Sequence, residues 1–230
     1  MACFLWWQVT SSVKEPLLTE NRPTATILPG TQKAILVTGE GKTVNLNPET
    51  ADVEIGEGVK AKNSNHGLIY SDTLTAGIED TENQLIVPRG GEYAIVLSDG
   101  TRVWLNSASE LKDPAHFAGD MRRVYLKGEA YFDVTKKKKT PFIVRTDKYD
   151  IEVLGTQFDV DAYPDQTAFE TTLMKGSVKV TSQHFPEQTI TLKPHHKAYV
   201  KDGQLAVTKV NDFTPYRWKE GLICFKAVSY

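Results

Sequence analysis

The stretch Pro88–Asn106, PRGGEYAIVLSDGTRVWLN, decides the fold. Tyr93, Ile95 and Leu97 alternate with Ala94 and Val96; Thr101, Val103 and Leu105 alternate with Arg102, Trp104 and Asn106. Side chains on a strand point to opposite faces with period 2, so each run has one face to bury. Between the runs, Ser98–Thr101 (SDGT) carries Asp-Gly, which suits a type I′ turn because both central residues there take positive φ. The unit reads as strand, tight turn, strand. An earlier stretch repeats it: Pro29–Asn47, PGTQKAILVTGEGKTVNLN, aligns without gaps, and Pro, Val, Gly, Val, Leu and Asn recur at matching places. Gly39–Lys42 (GEGK) stands where the Asp-Gly turn stands in the other copy. Two copies are too few for a solenoid. They predict one hairpin unit used twice, with the unlike segment Pro48–Ile86 between them.

The same period continues downstream. Phe158, Val160 and Ala162 alternate with Asp159 and Asp161; Phe169, Thr171 and Leu173 alternate with Glu170, Thr172 and Met174; Val178 and Val180 alternate with Ser177 and Lys179. Lys201–Gln204 (KDGQ) carries a second Asp-Gly turn. No amphipathic helix of ten or more residues is legible between Ile27 and Val210. Many short strands with turns at near-regular spacing predict an all-β protein, an antiparallel sandwich or jelly-roll-like fold or a stack of β-hairpins, with little helix. Tyr125, Tyr131, Phe132, Phe142 and Phe158 are expected to supply large core surface.

Composition agrees with a folded domain. The 230 residues are 40% hydrophobic and 24% charged, which excludes wholesale disorder. The net charge of −2 gives no reason to expect a nucleic-acid partner. The dense basic run Lys136–Lys139 reads as a solvated hairpin tip. Cys3 and Cys224 stand near opposite ends with no partner at metal-ligand spacing, so neither a disulfide framework nor a zinc site is expected. Ala2–Trp7 is apolar and ends in two tryptophans beside a polar flank, as the interfacial end of a transmembrane helix does, although six apolar residues cannot span a bilayer. Val9–Pro23 reads as linker.

No residue set points to catalysis, a cofactor or a metal. His195 and His196 are adjacent and, in extended backbone, would face opposite ways; with His184 they read as surface histidines. Asp159 and Asp161 share a strand face and Asp165 follows, a loose arrangement of oxygens for calcium, but solvent-facing alternation is the expectation. Glu129 and Asp133 share a face too, without any sign of the separation a glycosidase needs. Nucleophile elbow, zinc-helix and phosphate-loop motifs are missing.

Several ordered motifs together resemble the FecR-like domain of Bacteroidetes-type anti-sigma factors: VPRGGEYAIVLSDGTRVWLNSASEL (Val87–Leu111), RRVYLKGEAYFDVTKKKKTPFIVRTDKYDIEVLGTQFDVDAYPD (Arg122–Asp165) and TTLMKGSVKV (Thr171–Val180). WKEGLICF (Trp218–Phe225) resembles the junction that follows it, and the likeness runs from about Ile27 to Phe225. The resemblance implies a periplasmic signal relay, normally tethered to the inner membrane by a single N-terminal helix. Its partner would be the N-terminal signalling domain of a TonB-dependent outer-membrane transporter. An extracytoplasmic-function sigma factor would be held only through a cytoplasmic domain absent here. Relative to that plan the chain is expected to be truncated at both ends, its membrane anchor lost and its C-terminal module cut short.

The expected organisation is an apolar stub and linker over residues 1–26, an N-terminal β segment over 27–86, the FecR-like core over 87–212 and the start of a C-terminal module over 213–230. Trp218, Leu222 and Phe225 are the partner-binding residues the resemblance suggests, through strand addition at a sheet edge or at this segment. Two other readings stand beside the relay: a carbohydrate-binding β-module using Trp104 and Tyr163 as stacking platforms, and a purely structural spacer.

Overall fold

The computed structural model describes residues 30–56, 59–64, 66–70, 82–165 and 169–220. The stub at Ala2–Trp7, both cysteines, Leu222 and Phe225 lie outside these residues. The first repeat copy gives β1 (Thr31–Gln32), β2 (Ala34–Val37) and β3 (Thr43–Leu46). A meander follows of β4 (Val53–Gly56), β5 (Val59–Ser64) and β6 (Gly67–Tyr70). Next come β7 (Glu82–Val87), β8 (Gly91–Val96), β9 (Arg102–Leu105), β10 (Ser109–Pro114) and the long β11 (Arg122–Asp133). The remaining strands are β12 (Phe142–Arg145), β13 (Tyr149–Val153), β14 (Gln157–Ala162), β15 (Glu170–Lys175), β16 (Val178–Ser182), β17 (Thr189–Leu192), β18 (His196–Lys201) and β19 (Gln204–Lys209). Two short 3-10 turns, Thr214–Tyr216 and Trp218–Glu220, end the described chain.

The strands form two layers that share β11. One layer runs β3-β2-β7-β10-β11-β12-β13-β16-β17. The other runs β4-β5-β6-β8-β9-β11-β14-β15-β18-β19. Pairing is antiparallel except for β1 with β8, β6 with β8, and β11 with β12. The predicted all-β, mostly antiparallel sandwich is what forms, closed almost into a barrel by the shared strand.

β11 changes layers at Gly128. Residues up to Lys127 pair with β10, and residues from Gly128 on pair with β14. Gly128 has φ +93°, and a Cβ there would lie 2.4 Å from Ser109 Oγ and 2.8 Å from Ser109 Cα. Only glycine lets the strand turn the corner this close to its neighbour.

Both repeat copies form the same hairpin, one in each layer. Thr38 donates to the Lys42 carbonyl at 2.8 Å and Gly41 to the Thr38 carbonyl at 2.8 Å. The equivalent bonds in the second copy run from Leu97 to Thr101 at 2.9 Å and from Gly100 to Leu97 at 2.9 Å. Gly41 and Gly100 have φ of +82° and +83°. These are three-residue loops with one left-handed glycine, so the type I′ expectation fails at Ser98–Thr101. At Asp99 the carboxylate accepts from the Thr101 amide at 2.9 Å and the Thr101 hydroxyl at 2.8 Å, which braces the three-residue loop, although the first copy forms the same loop with Glu40 in that place. At Lys201–Gln204 both Asp202 (+51°) and Gly203 (+76°) take positive φ, as the two-residue turn requires.

The core lies between the layers. Tyr93, Ile95, Leu97, Val103 and Leu105 point inward as their period predicted, and Phe132 stacks on Phe158 at 5.1 Å between ring centroids. Tyr125 does not join them. It is 36% exposed, because Val124 and Leu126 take the inward parity of β11 and leave Tyr125 outside. The Lys136–Lys139 run is exposed but is no hairpin tip. It lies in the crossover from β11 to β12, which pair in parallel.

A buried ion pair ties the crossover to the second hairpin. Arg122 and Asp99 have side chains 1% and 2% exposed, and Arg122 Nη1 meets Asp99 Oδ2 at 2.5 Å. Arg122 also donates to the Thr135 carbonyl at 2.9 Å and to the Thr140 carbonyl at 2.9 and 3.2 Å. Four of the five guanidinium N–H groups thereby donate, one of them to a carboxylate, the kind of pairing a buried charge needs to be tolerated.

Candidate functional site

The outer face of the second layer carries the feature that alternation alone does not explain. Strand registers put one residue from each of seven strands in a row: Thr208, Lys197, Thr172, Asp159, Tyr131, Trp104 and Ala94. All point away from the core, so all are expected to meet solvent. Three do not. Tyr131 is 7% exposed, Asp159 2% and Thr172 1%. The expectation that Asp159 faces solvent is therefore overturned.

What covers them is the end of the described chain. After β19 the backbone returns, with Val210 donating to the His195 carbonyl at 2.8 Å and Phe213 packing edge-on against His195 at 5.0 Å. Thr172 donates its hydroxyl proton to Tyr216 Oη at 2.9 Å. The Lys219 ammonium sits 4.6 Å from the Tyr131 ring centroid and 5.4 Å from that of Trp104. From Tyr216 to Lys219 the segment thus passes from β15 over β14 and β11 to β9. Three strand spacings amount to roughly 14 Å.

This cover explains the electrostatics of the row. Burial, with the carboxylates of Asp133, Asp159 and Glu220 nearby, pushes the Tyr131 phenol up to about 12. Burial also raises Tyr216, and Glu170, Asp159 and Glu129 act in the same direction. Tyr163 is pushed up to about 12, first by burial, and donates to the Ser107 carbonyl at 2.7 Å. The neighbourhood is anionic and half dry, and Lys219 places a cation over its aromatic end.

Beyond Trp104 the row opens into a cleft of about 530 Å³. Its apolar floor is the outward set of the next strands, Ala94 and Val96 of β8 and Ile69 of β6, with Trp104 and Trp218 as one wall. Gln32, His66 and Glu92 form a polar rim. Ile69 is 37% exposed. The indole N–H of Trp218 is shut off from solvent yet meets no acceptor among the described residues.

Of the sequence-predicted partner-binding residues, Trp218 therefore stands at the cleft, while Leu222 and Phe225 lie outside the described residues. Trp104 packs edge-on against Tyr131, centroids 5.8 Å apart, with the Lys219 ammonium 5.4 Å from its ring centroid, and Tyr163 is held through its hydroxyl; both rings are half-buried rather than fully exposed. Glu129 accepts from Asn106 Nδ2 at 2.7 Å. Asp165 follows β14 in an exposed turn, and among the described residues no group of three or more His, Cys, Asp or Glu side chains is placed to hold a metal ion. His184 and His195 are exposed and His196 is half-buried. No helix among the described residues is long and apolar enough to cross a membrane.

Residues 83–179 match the family model described as FecR protein. A crystal structure of a candidate anti-sigma factor from Parabacteroides distasonis ATCC 8503 is similar, with 31% identity over 61% of this chain and 65% of that one, and a TM-score of 0.57. A second crystal structure of the same description matches at 31% identity over 60% and 65%, with a TM-score of 0.57. This chain thus spans less than two thirds of the length of those structures. No curated protein matches it.

Proposed function

From the premise that this chain is FecR-like over residues 83–179, we propose that it is the periplasmic signal-relay part of an anti-sigma factor. In this reading it receives the state of a TonB-dependent outer-membrane transporter through that transporter's N-terminal signalling domain. The message passes by protein–protein contact to an extracytoplasmic-function sigma factor, which a cytoplasmic domain would hold. A tether in the inner membrane would place the β domain in the periplasm. The observation that carries the reading is the family match, and the geometry is compatible with it. The outer face of the second layer holds aromatic and apolar groups partly covered by a short peptide, a form suited to recognising a peptide or a strand.

Calorimetric titration of the chain with the transporter's N-terminal signalling domain tests it. Saturable binding that weakens on Trp218→Ala supports the relay. If neither this chain nor a longer form carrying a C-terminal module binds, the relay reading fails. Binding by the longer form alone moves the contact off the β domain.

A further inference from the structure

We propose that the free edge of β19 pairs with the same edge of a second copy of this chain, joining the two through one continuous antiparallel sheet. The proposal does not depend on the relay reading.

The backbone comes first. β19 (Gln204–Lys209) ends the second layer and, among the described strands, pairs with β18 alone. The Val210 amide donates to the His195 carbonyl at 2.8 Å, on the β18 side, and the Val200 amide donates to the Phe169 carbonyl at 3.3 Å, on the β15 side. Antiparallel bonding alternates along a strand, so Gln204, Ala206 and Thr208 direct their backbone groups to β18. The N–H and C=O groups of Leu205, Val207 and Lys209 then point out of the edge, and no described residue bonds them. The other end strands are blunter. β3 and β17 have four residues each, and β4 has four with an irregularity between Glu54 and Gly56. Short or bulged edges resist pairing, whereas a regular six-residue edge accepts it.

The side chains leave the same edge unfinished. Val207 stands opposite the fully buried Ala198, on the core-facing side of the sheet, yet it is 45% exposed. Leu205 shares that side and packs against the core. The apolar interior therefore runs out to the edge without a cover, and a further strand would supply one.

The register selects the partner. A two-fold axis normal to the sheet places residues of like parity opposite each other, because directly opposed residues share a face. With the axis at Ala206, Leu205 faces Val207 of the second copy in two hydrogen-bonded pairs, and Gln204 faces Thr208. Lys209 then comes beside the Asp202–Gly203 turn, cation to anion. Moving the axis to Leu205 sets Lys201 against Lys209 twice, and moving it to Val207 sets Asp202 against Asp212 twice. The Ala206 register joins apolar to apolar and opposes no like charges. That self-complementarity argues for a second copy over a foreign strand.

The axis position makes the test specific. In a Cys3→Ser, Cys224→Ser background, Ala206→Cys puts two thiols across a pair whose Cα atoms lie about 4.5 Å apart, a spacing a disulfide accepts. Equivalent Thr208→Cys positions would be about 14 Å apart. Mild oxidation should therefore link Ala206→Cys chains into dimers about tenfold faster than Thr208→Cys chains. Sedimentation equilibrium of the unaltered chain should show dimer by about 1 mM, since one strand pair buries less than the roughly 1,200 Å² of tight complexes. Val207→Pro removes an outward N–H and no bond to β18, so it should weaken dimerisation at least about tenfold with the circular dichroism spectrum kept. Val207→Lys, which blunts the edge by charge, gives the same readout without a proline. A chain still monomeric at about 1 mM would overturn the proposal, as would cross-linking that is fastest at Leu205→Cys or Val207→Cys. A monomer whose Val207→Pro form loses binding to the transporter's signalling domain would overturn it too, by giving the edge to a foreign strand. Self-association is read without any partner protein, so its failure leaves the calorimetric test of the relay intact.

Discussion

Replacing Asp99 by alanine removes the one carboxylate that, among the described residues, pairs with Arg122, whose side chain is 1% exposed and otherwise held by the carbonyls of Thr135 and Thr140. Carbonyl dipoles do not neutralise a cation, so the variant leaves a charge buried without its counter-ion. That costs about 3–5 kcal/mol, against about 1 kcal/mol for losing an ordinary hydrogen bond. The two bonds from Thr101 to Asp99 go as well, loosening the loop that joins β8 to β9. For a domain of this size each kcal/mol moves the melting temperature by about 2–4 °C, so Asp99→Ala should melt roughly 6–20 °C lower.

Urea unfolding followed by circular dichroism measures this, and a double-mutant cycle isolates the pair. Arg122→Met alone leaves Asp99 with Thr101 but orphans the Thr140 carbonyl. The double variant should be about 2 kcal/mol or more less destabilised than the sum of the singles. Lys179 and Glu152, 3.2 Å apart with side chains 50% and 42% exposed, form the internal control; Lys179→Ala should change stability by less than about 1 kcal/mol. Added salt should shrink the control and leave the buried pair's coupling standing. A cost below about 1 kcal/mol for Asp99→Ala, or a coupling that salt abolishes, would refute the reasoning that burial gives the pair its weight.

Gly128→Ala puts a Cβ 2.4 Å from Ser109 Oγ at a φ of +93°, so it should lose about 2 kcal/mol or more in denaturant titration, and an unchanged midpoint would contradict the corner assigned to that residue. Asp113 is fully buried beside Tyr70, and burial raises its carboxyl well above the usual range. The folded state then holds a proton that the unfolded chain releases above about pH 4, so stability falls as pH rises from there towards the folded value. Asp113→Asn should flatten that slope and gain most near neutral pH; a gain confined to acid would be the wrong sign. Tyr131 and Tyr163 ionise at about 12 when folded, against about 10 in an unfolded chain, so they stabilise the fold below pH 10 and that contribution is lost between the two values. Ultraviolet titration should show both phenols delayed in the native protein, together with those of Tyr70, Tyr93, Tyr149 and Tyr216, which burial also raises, and Lys219→Ala should weaken stability by about 0.5–2 kcal/mol, chiefly through the ring contacts.

Much of this architecture is legible as parity. Counting back by two from Leu126 and Val124 puts Arg122 inward, and counting on from Leu111 puts Asp113 inward; both are buried. The parity of β11 equally excludes Tyr125 from the core, so the mistaken expectation for that residue came from weighing aromatic character above period. The two repeat copies were legible too, down to the glycine that closes each loop. The turn type was not, for one left-handed glycine closes a three-residue loop in both copies, and the burial of Asp99 was not, because its partner Arg122 lies twenty-three positions away where no local rule connects them.

The covered row failed to show in the sequence for a different physical reason. Period 2 states which face of a strand a residue takes, and Tyr131, Asp159 and Thr172 do take the outer face. Whether that face is wet depends on where a segment some forty to ninety residues away comes to rest, and a run such as FTPYRWKE (Phe213–Glu220) has neither strand nor helix period to announce it. The usable signal is composition at outward positions: a Trp and a Tyr side by side across β9 and β11 offer more apolar area than a solvated sheet face needs. Lys219 answers that area with an ammonium over both rings and a stem that can lie along them. By the same logic Ala94, Val96 and Ile69 are outward, apolar and contiguous, and they are the part of the face that Tyr216–Lys219 does not reach. The covered half of the face is closed by the chain's own peptide, Phe213–Glu220, and the half beyond Trp104 stands as the open cleft.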